Sequence, residues 1–191
     1  MKKKGLWITL AVVLVVVIAI VGSFASSYNK FVSMEEKVES ASADISVYLQ
    51  RRADLIPNFV NSVKGYSDYE QETYTAVTEA RAAVSKADDV DEQAAASAQL
   101  DRAIDVWVNA VTEAYPELKA NEQYKALQDE LAGSENRIAT ARKDYNETAR
   151  EYNNAVRRFP SNIVAALFDF DKAEYFESDD SASKVPTVDF S

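Results

Sequence analysis

An all-α fold is predicted for this chain: an N-terminal transmembrane helix, then an up-down-up-down antiparallel four-helix bundle of long helices and an irregular C-terminal tail. Three features predict it. Glycine and proline are scarce, four of each in 191 residues, whereas β folds and phosphate-binding loops use glycine freely. An uncharged apolar run stands near the N-terminus. Beyond it, apolar residues recur at three- and four-residue spacing through four long stretches.

The apolar run is LWITLAVVLVVVIAIVG, residues 6–22. Its length as a helix is about 25 Å, and Ser23, Phe24 and Ala25 extend it to about 30 Å, the thickness of a bilayer core. It is long for a signal-peptide core, although Ser23-Phe24-Ala25 could serve as a cleavage site. An uncleaved anchor in residues 6–25, embedded in lipid, is the preferred reading. Lys2, Lys3 and Lys4 precede the run, and no other charge occurs before Lys30. The positive-inside rule then keeps the N-terminus in the cytoplasm and leaves residues 26–191 outside a bacterial cytoplasmic membrane. Trp7 and Tyr28 suit the two interfaces.

The first helix of the bundle reads Phe31, Met34, Val38, Ala41, Ile45, Tyr48, Arg52, Leu55, with no breaker between it and the anchor. Pro57 in ADLIP predicts a turn or sharp kink there. A second helix follows from Phe59 to Val84. KADDVDEQ, residues 86–93, is an acidic connection whose carboxylates favour the start of a third helix. It lacks the glycine and the spaced glutamate of a calcium loop, so helix-cap charge is the reading. Pro116 ends the third helix, Asn121 can cap the fourth, and Pro160 closes it. The fourth helix is long enough that one end should overhang or pair with the stalk above the anchor. A short amphipathic helix runs to about Phe168. Residues 1–25, 26–168 and 169–191 are thus anchor, bundle with its terminal helix, and acidic, aromatic-containing tail.

Composition excludes much chemistry. There is no cysteine and no histidine, so disulfides, thiolate nucleophiles, the usual zinc sites and histidine-based triads are absent. No metal or other cofactor is expected. The formal net charge of −10 disfavours nucleic acid as a partner.

Polar residues interrupt the apolar faces. Arg52, Glu70, Glu135 and Asn136 are read as a structural polar layer that fixes helix register. A carboxylate-dependent enzyme using Glu70 and Glu135 is the less favoured reading. Tyr-Asn occurs at 145–146 and again at 152–153. Seven residues apart on a helix is nearly one face. Arg142, Asn146 and Asn153, with Val185, Val188 and Phe190 of the tail, are the candidates for assembly or partner contact.

The segments YNKFV (28–32), QRRADLIPNFVNSVKGY (50–66), YPELKANEQYKALQDEL (115–131) and SENRIATARKDYNETAREYNNAVRRFP (134–160) closely resemble the LemA family. KAEYFES and VPTVDF resemble its C-terminal end. The resemblance spans residues 28–190 and implies a single anchor, a helical bundle and no assigned catalytic residues. It includes a magnetosome-membrane relative, and it suggests a membrane metalloprotease or a TPM-domain protein as partner. The function expected is a non-enzymatic, homo-oligomeric membrane scaffold. A monomeric adaptor for such a partner is the alternative.

Overall fold

The computed structural model describes residues 2–63, 71–87 and 89–176. It is all-helical, with no strand among the described residues. The elements are α1 (Lys2–Val63), α2 (Gln71–Val84), α3 (Val90–Ala114), a 3-10 turn (Pro116–Ala120), α4 (Glu122–Arg157) and α5 (Ser161–Leu167).

One expectation fails. Pro57 does not turn the chain; it lies inside α1, which continues to Val63. Phe59 and Val63 therefore belong to the first helix, and the second begins at Gln71. A mid-helix proline costs about 3 kcal/mol. The residues around it recover more. Ala53, Ile56 and Phe59 are buried, and losing a buried Phe side chain alone costs about 3–5 kcal/mol. Gly65 and Glu70 lie outside the described residues.

The expected caps form. Asp89 accepts the Glu92 N–H at 2.7 Å, and Asp91 and Glu92 occupy the first turn of α3, where carboxylates favour the positive end of the helix dipole. Asn121 Oδ1 accepts the N–H groups of Gln123 and Tyr124 at 2.9 and 3.1 Å, opening α4.

The chain divides into two compact units. The first takes residues up to Ser40 together with Glu147–Ala173, and the second takes Ala41–Asn146 and the chain from Glu174 onward.

In the second unit, α2 packs on α3, and Phe59 of α1 meets Trp107 of α3 and Tyr124 of α4 at ring distances of 5.1 and 5.3 Å. Residue pairs give the directions. Ser46–Gln93, Arg52–Asp101 and Phe59–Trp107 make α1 and α3 parallel. Asp54–Arg81 with Gln50–Ser85, and Arg52–Glu135 with Phe59–Tyr124, make α2 and α4 antiparallel to α1. An up-down-up-down arrangement requires these directions.

In the first unit, the apolar N-terminal part of α1 is fully exposed. An 18-residue window there has mean hydropathy 2.9 and none of it is buried. Such a surface is long and apolar enough to cross a membrane. Past it, Phe31 of α1, Tyr152 of α4, Val164 and Ala165 of α5, and Phe170 form one apolar cluster. The distal end of α4 thus pairs with α1 just past the apolar run. A left-handed Asp169 (φ 55°) ends α5, and the Phe170 N–H returns to the Ala165 carbonyl at 3.0 Å. That C-terminal cap turns Phe170 back onto the cluster.

Candidate functional site

The Tyr-Asn repeat holds the chain's own C-terminal segment. In the first unit, Asn153 donates from Nδ2 to the Ala173 carbonyl and accepts the Ala173 N–H at Oδ1, both at 2.8 Å. In the second, Asn146 does the same with Phe176, both bonds at 2.9 Å. A carboxamide carries one acceptor and one donor group side by side, so it can satisfy both backbone groups of a single residue. Asparagine does here what a neighbouring strand does in a sheet. Residues 171–176 are irregular, as expected of the tail, but they are fixed.

Tyrosine supplies the second half of each pair. In the second unit, Tyr145 donates its hydroxyl to the Glu174 carbonyl at 2.9 Å, and its ring meets Phe176 edge-on at 5.2 Å. Burial, then the charges of Glu174 and Asp91, push the Tyr145 phenol above its usual value, so it remains a donor at neutral pH. In the first unit, Tyr152 packs edge-on against Phe31 at 6.4 Å. Burial, with Glu35 and Asp171, raises its phenol likewise.

Arg142 lies over the Phe176 ring, 5.5 Å from its centroid, a cation–π contact. Its Nε and Nη2 are buried without an acceptor. Burial lowers the guanidinium from its usual value, Asp101 opposes that shift, and Arg52 adds to it. Phe176 is therefore gripped at its backbone by Asn146 and at its ring by Tyr145 and Arg142.

The polar layer has a member that the sequence reading missed. Arg52, with its side chain 6% exposed, lies 2.6 Å from Asp101 of α3 and 4.0 Å from Glu135. The Asp101 contact is an ion pair, not a well-directed hydrogen bond. Burial raises the Asp101 carboxyl, and Arg52 pulls against it. Asp101 follows the buried stripe residue Leu100, and that adjacency was its only signal. Glu135 is 67% exposed, and Asn136 is exposed on an open cleft of about 310 Å³ with Asp44, Tyr48 and Asp144. Val185, Val188 and Phe190, like Glu70, fall outside the described residues. No group of three or more potential metal ligands occurs among the described residues.

The LemA family profile matches residues 41–190. This chain belongs to the LemA family. It is similar to the magnetosome protein MamQ 2 of Paramagnetospirillum magneticum, with 26% identity over 84% of this chain and 68% of the relative. It is also similar to the protein LemA of Metamycoplasma hominis, with 27% identity over 84% of this chain and 72% of the relative. The magnetosome protein MamQ of Magnetospirillum gryphiswaldense is 23% identical over 92% and 74%. None of these names denotes an enzyme. Family membership and the exposed apolar helix together point to membrane association of this LemA-family chain.

Proposed function

We propose that this LemA-family chain is a non-enzymatic, membrane-anchored scaffold. It crosses the cytoplasmic membrane once through residues 6–25, keeps its N-terminus in the cytoplasm, and self-associates or docks partner proteins on the outer face. The observation that carries this reading is α1. A wholly exposed apolar segment continues without a break into the helix that builds the rest of the protein. Similarity to proteins named for the magnetosome supports this reading.

The C-terminal segment is the assembly element in this scheme. Arg142, Asn146 and Asn153 fix its root on α4, and Val185, Val188 and Phe190 beyond it meet the second copy. A short segment carrying several apolar residues, Val185, Val188 and Phe190, suits docking along a groove.

The test compares full-length protein with a chain lacking residues 186–191, both in mild detergent, by light scattering. The scaffold predicts a defined oligomer that the truncation weakens while helicity and melting stay unchanged. An oligomer indifferent to the truncation removes the tail from the scheme. A full-length monomer moves the reading to an adaptor, and co-purification from native membranes would then look for a membrane metalloprotease or TPM-domain protein.

A further inference from the structure

We infer that the corner joining α4 to α5 is a second membrane contact, lying in the headgroup layer beside the span. Phe159, Ile163 and Leu167 are exposed to 76%, 49% and 63%. They recur every four residues, and Phe168 beside them is 48% exposed. Their neighbours Val164 and Ala165 are buried in the cluster with Phe31 and Phe170. Helix α5 thus presents apolar side chains on both faces, and only one face is covered by protein. Several large apolar side chains left exposed within one short stretch, Phe159 in the turn and Ile163, Leu167 and Phe168 on or just after α5, mark a contact surface.

The first unit shows what covers it. Phe24, at the end of the apolar run, packs against the cluster that contains Val164 and Ala165. Tyr28 meets Phe168 and Phe170 at 4.8 and 5.6 Å. Arg158 and Ser161 share a cleft with Ser27 and Lys30. Those α1 residues lie two and five positions past Ala25, about 3 and 7.5 Å along the helix. The polar layer of a bilayer leaflet is about 5–8 Å thick. The corner therefore sits at headgroup depth whenever residues 6–25 span the core.

The chemistry agrees with that depth. Lys30, Arg157 and Arg158 are exposed at this corner, together with the carboxylates Glu151, which lines the same cleft as Lys30 and Arg158, and Asp169, which follows Phe168. Cations with long stems reach phosphates while aromatic and aliphatic neighbours sink toward the acyl boundary. Tyr28 and Phe168 lie at the level of an aromatic belt. The corner is also held firmly. Ser161 Oγ donates between the Ala155 and Arg158 carbonyls, 2.7 Å from each. Lipid thus contacts the protein at two places, the span and this corner, and the stalk above the membrane is braced against tilting.

The absence of cysteine makes the test direct. Single variants Phe159→Cys, Ile163→Cys and Leu167→Cys of the full chain are spin-labelled and reconstituted in vesicles of phosphatidylcholine and phosphatidylglycerol. Collision rates with oxygen, which is lipid-soluble, and with an aqueous nickel chelate report depth. Val16→Cys marks the core, and Glu39→Cys, about 21 Å past Ala25 along α1, marks water. The corner labels are expected to show an oxygen-to-chelate ratio several-fold above that of Glu39→Cys and below that of Val16→Cys. A ratio equal to that of Glu39→Cys overturns the inference. So does shielding from both probes, which would place a second copy or another protein over the patch. A water-like Val16→Cys refutes the anchor itself, separating that failure from failure at the corner.

Discussion

Replacing Asn153 by alanine should release the C-terminal segment in the first unit without unfolding the protein. The residue is 5% exposed, and its side chain makes two hydrogen bonds of 2.8 Å to one residue, Ala173. At a net contribution of about 1 kcal/mol per bond, the substitution removes about 2 kcal/mol of docking energy, or about 30-fold in the docking equilibrium. Stranding the N–H and C=O of Ala173 in place would cost about 1–3 kcal/mol each. The segment escapes that penalty by lifting into water, so its own docking energy is the ceiling. The assay is amide hydrogen exchange, because the Ala173 N–H is bonded to Asn153 Oδ1. Exchange at Ala173 should accelerate about 30-fold, while the amide of Ala149, inside α4, keeps its protection. Asn153→Asp should fare no better than alanine. It keeps the acceptor but sets a carboxylate against the Ala173 carbonyl. Unchanged exchange at Ala173 would refute the clamp. Equal acceleration at Ala149 would show that Asn153 serves global stability instead.

Three further outcomes follow from packing and charge. Gly133→Ala should stabilise the protein by about 1 kcal/mol. An added Cβ meets only the Arg137 guanidinium, at 3.8 and 3.9 Å, so a lower urea midpoint would contradict the reading. Phe59→Ala should cost about 3–5 kcal/mol and alter Trp107 fluorescence, because Phe59 is 2% exposed and its ring meets Trp107 and Tyr124. A loss under 1 kcal/mol would show that the helix does not need Phe59 to carry it through Pro57. Burial raises the Asp101 carboxyl, so the folded state takes up a proton there before the unfolded state does. Its contribution therefore falls as pH rises from the ordinary aspartate value through the raised one. Subtracting the stability profile of Asp101→Asn should isolate that downward slope, and an upward slope would mean that Arg52 outweighs burial.

Much of the helical architecture is legible because its causes are local. The Asp89 and Asn121 caps each act within three residues of chain, and the stripe Leu100, Ile104, Trp107, Val111 is buried as its spacing requires. Pro57 was misleading for the same reason. Its local preference opposes a helix, and the contacts that override it come from Trp107 and Tyr124, far along the chain.

By itself the sequence determined the all-helical class, the apolar run that can span a membrane, the caps, most helix ends and the family. All but the family follow from neighbours within a turn or two, or from composition; the family follows from the resemblance of long segments spread along the chain. The tertiary structure alone decided that α1 runs past Pro57, that Asp101 joins Arg52, and that Asn146 and Asn153 bind Phe176 and Ala173. Those partners lie 20 to 49 residues apart. Any asparagine carboxamide can serve any backbone. Which one it serves depends on where packing of the helices and return of the chain after α5 bring the two together.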